Sequence, residues 1–196
     1  MQKICITGSI GSGKTTVANI FKAIGIPVFN ADEKAKSLYT EKTVKTLLLK
    51  FFGETILDSN NSINKKKIAS IVFNNPVALK KINSIIHPLV IENFHKWSKQ
   101  QSSNSYVIFE SAIIFESDLD KEFDKIISVS APEDLRIKRV MKRDSVNSDK
   151  VLQRIKNQWS NEAKVKLSDF VIINDERQLI IPQILEIHKE INPEIN

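Results

Sequence analysis

Apolar residues follow two alternating patterns along the chain. Short apolar runs without strict alternation are typical of strands buried on both faces, and they occupy residues 3–7, 26–29, 105–110, 125–130 and 169–173. Other segments repeat apolar residues at helical spacing, namely 14–24, 32–39, 132–143, 148–158 and 177–190. This alternation predicts an α/β fold in which helices cover a parallel sheet.

The pattern changes between about residues 36 and 100, where helix candidates follow one another without a convincing strand. These candidates are 41–52, 65–74, 76–85 and 88–100. His87 and Pro88 separate the last two, because proline usually breaks a helix. We therefore predict a core domain of residues 1–35 and 101–196 with a helical insertion of residues 36–100.

Residues 8–15, GSIGSGKT, fit the phosphate-loop pattern G-x-x-x-x-G-K-[ST] between the first predicted strand and the first predicted helix. Glycines let backbone N–H groups surround a phosphate chain, and the helix adds the positive end of its dipole. Lys14 is expected to reach the β- and γ-phosphates, and the Thr15 hydroxyl to contact Mg²⁺, which keeps water ligands. The predicted nucleotide-binding residues are Gly8, Gly11, Ser12, Gly13, Lys14, Thr15 and Thr16.

Composition limits the other classes of function. The chain has 196 residues, 41% of them hydrophobic, with one cysteine, so no internal disulfide forms, and Cys5 fits a small buried core residue. No stretch predicts a membrane span, and the first strand begins without a basic leader or apolar signal segment. We expect a cytoplasmic protein that is a monomer or a weak oligomer.

The formal net charge of +6 raises the question of nucleic-acid binding. The lysine runs at 65–67 and 80–81 flank apolar residues on predicted helices, as a solvated face does, and no nucleic-acid module accompanies them. A basic surface also attracts a polyanionic nucleotide. We therefore expect a small-molecule substrate, no nucleic acid and no membrane partner.

Asp32 follows the second predicted strand, at the edge where open α/β sheets bind ligands. A carboxylate there suits a general base for an attacking hydroxyl or a contact to Mg²⁺. It equally suits an N-cap for the helix that follows. Glu110 ends the third predicted strand and could hold a water on Mg²⁺ or pair locally, whereas His87 beside a proline is more often structural.

Three arginines, Arg136, Arg139 and Arg143, share one face of the helix predicted after Pro132. Such a face can bind a transferring phosphoryl group, although a solvated face with an Arg143 to Asp144 ion pair is the more ordinary interpretation. Residues 139–158 are charged and polar, and we predict that they form a mobile lid over the phosphates. Arg143 is the preferred phosphate contact and Arg139 the second.

Taken in order along the chain, these landmarks resemble the dephospho-coenzyme A kinase family over essentially the whole length. The segments that carry the resemblance are 7–18 (TGSIGSGKTTVA), 29–32 (FNAD), 74–76 (NNP), 86–90 (IHPLV), 113–116 (IIFE), 139–144 (RVMKRD), 154–158 (RIKNQ) and 168–174 (SDFVIIN). The order is specific, whereas a phosphate loop alone is shared by many kinases.

The resemblance implies ATP- and Mg²⁺-dependent phosphorylation of the ribose 3′-hydroxyl of dephospho-coenzyme A. It implies that Asp32 is the base, with Lys14 and Arg143 also catalytic, and that Asp32, His87 and Glu110 contact the substrate. The alternatives are another kinase of this fold or a non-enzymatic nucleotide-sensing or RNA-associated protein. The chain departs from the family where Asn30 and Glu110 replace aspartates, Ala112 a proline, and Asn64 and Lys65 an Asp-Arg pair.

Overall fold

The computed structural model describes residues 1–73 and 75–193 of the chain. A five-stranded sheet lies at its centre, built from β1 (Gln2–Thr7), β2 (Val28–Asn30), β3 (Tyr106–Glu110), β4 (Lys125–Ser130) and β5 (Phe170–Ile173). The strand order is β2-β3-β1-β4-β5, and every neighbouring pair is parallel. The predicted parallel sheet is confirmed.

Helices lie between and after these strands along the chain. They are α1 (Lys14–Ala23), α2 (Ala31–Leu38), α3 (Lys42–Phe52), α4 (Lys65–Phe73), α5 (Pro76–Lys99), α6 (Glu133–Asp144), α7 (Ser148–Lys156), α8 (Asn161–Lys166) and α9 (Ile180–Ile191), with 3-10 turns at Glu54–Ile56 and Asp120–Glu122. The predicted helix 65–74 is observed to Phe73, and Asn74 lies outside the described residues. The predicted helix 148–158 is observed as α7, which ends at Lys156. The short α8 that follows is not among the predicted helices.

One predicted break is wrong. Helix α5 continues through Pro88 as a single element. Proline removes one backbone hydrogen bond inside a helix, a local cost. Burial on both sides of Pro88 offsets this cost, because one apolar stripe of α5 remains 9% exposed or less at Ile82, Ile86, Val90, Ile91 and Phe94.

The described chain divides into two compact units, which we call the core unit, residues 1–30 and 98–196, and the insertion unit, residues 31–97. The predicted boundaries were 35/36 and 100/101. The insertion unit has its own buried side chains, namely Leu38, Val44, Leu48, Ile56, Ile68, Ala78, Ile82, Ile86, Val90 and Phe94. Within it, Lys65 donates to the Lys36 carbonyl at 2.8 Å and lies 5.8 Å from the Tyr39 ring centroid.

The core unit is apolar on both faces of its sheet. All five residues of β3 are buried, which explains the lack of apolar and polar alternation in its sequence. Side chains of β1, β3, β4 and β5 pack with α1 and α9 around Ile4, Ile6, Phe21, Tyr106, Ile108, Ile127, Ile172 and Ile184. Cys5 is buried in β1, as predicted, and burial raises the pKa of its thiol. Among the described helices, none combines the length and apolarity that a bilayer crossing requires.

Candidate active site

The phosphate loop, residues 8–13, connects β1 to α1 in a conformation that requires glycine. Gly11 and Gly13 have φ values of 80° and 97°, in the left-handed region. A Cβ atom would lie 2.5 Å from the Arg136 carbonyl oxygen at Gly11 and 2.1 Å from Asn174 Nδ2 at Gly13. The glycines therefore give the backbone both its turn and its close approach to α6 and to the end of β5.

Lys14 begins α1 and its side chain folds back over the loop. Its Nζ donates to the carbonyl oxygens of Gly8 at 2.9 Å and Ser9 at 3.3 Å. Thr16 follows in the first turn of α1 and is exposed. The ammonium group is thus already positioned at the concave loop, where a phosphate chain would meet it.

Asn174, directly after β5, links the loop to α6. Its side-chain amide donates from Nδ2 to the Ser12 carbonyl at 2.8 Å. Its own carbonyl oxygen accepts from both Nη atoms of Arg139 at 3.2 Å, and Arg139 Nη2 also donates to Glu176 Oε1 at 3.1 Å. Of the three arginines on α6, Arg139 is therefore linked to the phosphate loop through one intervening residue.

A second link comes from the segment after α7. The backbone N–H of Ile10 donates to Gln158 Oε1 at 2.8 Å. Neither Gln158 nor Asn174 was predicted as a site residue. Both lie in segments that carry the family resemblance, 154–158 and 168–174, and this was the available signal.

Glu110 joins the loop to the strand ends on the other side. Its Oε1 accepts from the Thr15 hydroxyl at 2.6 Å, and its Oε2 accepts from Asn30 Nδ2 at 3.0 Å. The register pairs Asn30 with Glu110 across β2 and β3, which brings both to the same sheet edge. Glu110 is only 7% exposed, so its carboxylate is fixed beside Thr15.

The donor set at this edge fits Mg²⁺ that is bound chiefly through phosphate and water. A threonine hydroxyl and a carboxylate are hard oxygen ligands, and Mg²⁺ usually retains several waters in nucleotide sites. Among the residues that the structure describes, no group of three or more His, Cys, Asp or Glu side chains is arranged to bind a metal.

The three arginines of α6 lie in different surroundings. Arg136 is 4% exposed and donates from Nε to the Ala131 carbonyl at 3.1 Å, so the solvated-face interpretation is wrong for this residue. The Arg143 side chain is 63% exposed and pairs with Asp144 at 2.7 Å. Arg154 of α7 pairs with the same carboxylate at 2.5 Å. These hydrogen bonds, above all that from Arg143, lower the pKa of Asp144 to about 2 and raise that of Arg143.

Two predicted site residues belong to the insertion unit. Asp32 is exposed in the first turn of α2, which begins at Ala31, so the N-cap alternative is wrong. A carboxylate there still interacts favourably with the helix dipole. His87 lies within α5, and partial burial lowers its pKa, which favours the neutral imidazole.

A cavity of about 480 Å³ lies in the core unit beside the phosphate loop. Ser9, Ser130, Arg136, Gln158, Asn161 and Asp175 are among its lining residues. Its wall thus combines Ser9 of the loop with residues from the end of β4, from α6, from the segment after α7 and from the segment after β5.

Comparison with known sequences agrees with the predicted family. The family model of dephospho-CoA kinase matches residues 2–179. A dephospho-CoA kinase of Bacteroides fragilis is 39% identical over 186 residues, which cover 94% of this chain and 90% of the relative. A dephospho-CoA kinase of Fusobacterium nucleatum is 40% identical over 172 residues, with coverages of 88% and 89%.

Solved structures give the same result. A protein of Thermus thermophilus matches with a TM-score of 0.84 at 27% identity, covering 100% of this chain and 98% of the other. A dephospho-CoA kinase from Campylobacter jejuni matches with a TM-score of 0.68 at 25% identity, and 98% of each chain is covered. A shikimate kinase from Bacteroides thetaiotaomicron, 12% identical with a TM-score of 0.52 over 96% of this chain and 97% of its own, shares the fold alone.

Proposed function

This chain belongs to the dephospho-CoA kinase family, and from that premise we propose that it phosphorylates the ribose 3′-hydroxyl of dephospho-CoA with ATP. The products are CoA and ADP. The observation that carries this conclusion is the phosphate loop. Lys14 already contacts a carbonyl oxygen of the loop, and Thr15 contacts Glu110. Family membership disfavours another kinase activity or a non-enzymatic role.

The loop would bind the phosphates of ATP through its backbone N–H groups and the amino end of α1. Lys14 Nζ would exchange its bonds to the Gly8 and Ser9 carbonyls for β- and γ-phosphate oxygens. The hydroxyl of Thr15 and, through water, the carboxylate of Glu110 would hold Mg²⁺. When bound, this ion neutralises phosphate charge and polarises the γ-phosphoryl group.

We assign the acceptor side of the reaction to Asp32 as general base, with His87 and Glu110 as further substrate contacts. Asp32 and His87 belong to the insertion unit and Glu110 to the core unit. The hydroxyl oxygen forms a bond to the γ-phosphorus while the bond from phosphorus to the β,γ-bridging oxygen breaks. The hydroxyl proton passes to Asp32, whose exposed position in the first turn of α2 leaves its carboxylate accessible to a ligand. Positioning supplies most of the acceleration, because phosphoryl transfer requires little covalent chemistry from the protein.

The lid, residues 139–158, supplies charge during transfer. Arg143 would leave Asp144 for the transferring phosphoryl group, and Arg139 would remain near the nucleotide through Asn174. A guanidinium group suits this role because it donates two parallel hydrogen bonds to phosphate. We further propose a cytoplasmic enzyme that acts as a monomer or a weak oligomer on a small-molecule substrate, without nucleic acid or membrane.

A coupled ADP-release assay tests the reaction. The whole protein is assayed with ATP and Mg²⁺ against dephospho-CoA, AMP, CMP and nucleosides, and phosphorus NMR of the product locates the new phosphate. We expect turnover only with dephospho-CoA and a 3′-phosphate in the product. Faster turnover with another acceptor would assign a different kinase activity, and tight ATP binding without acceptor-dependent turnover would contradict an enzymatic role.

A further inference from the structure

Gln158 contacts the phosphate loop from the far end of the lid. Its Oε1 accepts the Ile10 N–H at 2.8 Å across 148 residues of sequence. The residue lies between α7 and α8, and its own N–H donates to the Ile155 carbonyl at 3.0 Å. We propose that Gln158 is a positioning residue that orders the first half of the phosphate loop before ATP binds, an inference that rests on the proposed nucleotide-binding function.

The neighbour of Gln158, Trp159, is fixed to the segment that follows β3. Its backbone N–H donates to Glu116 Oε1 at 2.9 Å. Its ring stacks on Phe115 with a centroid separation of 5.9 Å and an interplanar angle of 10°. These two contacts hold the backbone next to Gln158 against the segment that follows β3. They therefore limit the directions in which the Gln158 side-chain amide can point.

A buried ion pair supports this attachment. The Lys164 side chain is fully buried, and its Nζ lies 2.7 Å from Glu116 Oε1 and donates to the Ala112 carbonyl at 2.6 Å. Burial lowers the pKa of Lys164, and the hydrogen bond to Glu116 opposes that shift. Loss of one partner would leave an uncompensated buried charge, so this pair fixes α8 to the segment after β3.

The contact to Ile10 acts on nucleotide binding through the shape of the loop. Ser12 N–H closes the turn by donating to the Ser9 carbonyl at 3.1 Å. The next residues of the loop would present their N–H groups to a bound phosphate. A loop that is already ordered loses less conformational entropy when ATP binds. Loss of one such hydrogen bond should therefore raise the KM and Kd for ATP about threefold to tenfold and change kcat less than about twofold.

Gln158→Met tests the proposal, because methionine keeps the length of the side chain without the acceptor oxygen. The whole protein is measured for ATP Kd by calorimetry, KM, kcat, Tm and amide exchange at Ile10. Gln158→Glu restores an acceptor oxygen and should return Ile10 exchange to the wild-type rate. Gln2→Met makes the same chemical change at an exposed position at the amino end of β1 and should leave every parameter unchanged.

We expect weaker ATP binding and faster Ile10 exchange in Gln158→Met, with Tm close to wild type. Unchanged ATP Kd and unchanged Ile10 exchange would overturn the proposal, as would equal losses of kcat and Tm that point to a general structural role. The ATP Kd and the Ile10 exchange rate are measured without dephospho-CoA, the phosphoryl acceptor. A wild-type protein that fails to phosphorylate dephospho-CoA would thus contradict the proposed function and leave this test intact.

Discussion

The phosphate loop and the lid are stabilised by different kinds of contact. The loop is joined to the rest of the core unit through buried groups, with Ser9 and Ser12 no more than 2% exposed and Asn174 8% exposed. The middle of the lid depends on Asp144, whose two arginine partners are 63% and 43% exposed. Exposed ion pairs contribute little stability, so they exchange partners at low cost.

This difference suggests that the phosphate loop and the lid have different roles in binding ATP. A loop ordered before ATP arrives provides a fixed site for the phosphates, whereas Arg143 can exchange a carboxylate for a phosphate without disrupting the fold. The two ends of the lid are attached, since Arg139 contacts Asn174 and Gln158 contacts Ile10. Motion should therefore be greatest in its middle, between the end of α6 and the end of α7.

The largest effect is expected from Asp32→Asn. Asp32 lies in neither the phosphate loop nor the lid, and the loss of kcat in this variant is the reference with which the effects in those two regions are compared. Loss of a well-placed base lowers kcat about a hundredfold to ten-thousandfold. The amide keeps the shape of the side chain, so the Kd for ATP should stay near the wild-type value. Steady-state kinetics and calorimetry measure both, and an unchanged kcat would reduce Asp32 to a favourable charge in the first turn of α2. Asn30→Asp, measured beside it, tests whether Asn30 shares the role.

The next effect tests the fixed loop. Lys14→Ala should lower kcat/KM for ATP about a hundredfold to a thousandfold, because it removes the charge nearest the β- and γ-phosphates. Its Tm should remain near the wild-type value, since the side chain is only half-buried. Lys22→Ala, at an exposed position in the last turn of α1, is the matched control and should behave as wild type. Near-normal activity of a folded Lys14→Ala protein would refute the phosphate-loop mechanism.

Arg143→Ala tests the catalytic role of the lid. Loss of a charge-assisted hydrogen bond to the transferring group should lower kcat about tenfold to a hundredfold, with a smaller change in the KM for ATP. Lys138→Ala removes a positive charge from the same helix at an exposed position and serves as the control. If Arg143→Ala and Lys138→Ala have the same kcat and KM, Arg143 does not bind the transferring phosphoryl group.

The smallest effect concerns the carboxylate that joins α6 to α7. The pKa of Asp144 is lowered to about 2 in the folded protein, so its contribution to stability is complete above the ordinary value near 4 and is lost as the pH falls toward 2. Asp144→Asn should lower the free energy of unfolding at pH 7 by about 1 kcal/mol or less. Urea unfolding at several pH values should show that difference shrinking between pH 4 and pH 2.

Asp149→Asn is the control, an exposed carboxylate in the first turn of α7. A difference between wild type and Asp144→Asn that stays constant down to pH 2 would contradict the assigned ion pairs.

Local patterns explain what the sequence could predict. The parallel sheet follows from apolar runs, and the phosphate loop from eight consecutive residues. The predicted break at Pro88 failed because a local rule does not weigh the apolar stripe buried on either side of it. Of the residue pairs that complete the loop, Asn174 and Ser12 are 162 residues apart, and Gln158 and Ile10 are 148.

No local pattern marks such contacts, since they depend on how β5, α7 and α8 pack around β1. The same limit applies to the arginines of α6. Helical spacing places Arg136, Arg139 and Arg143 on one face, but only the fold shows that the first is buried, the second contacts Asn174 and the third pairs with Asp144.

Amide hydrogen exchange most directly tests the contrast between a fixed loop and a mobile lid. The whole protein is compared with and without a non-hydrolysable ATP analogue plus dephospho-CoA. We predict that residues 139–158 exchange markedly more slowly in the complex, most of all between Asp144 and Lys156, while the Ile10 amide is already protected in the free protein. Exchange in residues 139–158 that does not slow in the complex, or a free protein with an unprotected Ile10 amide, would contradict the account.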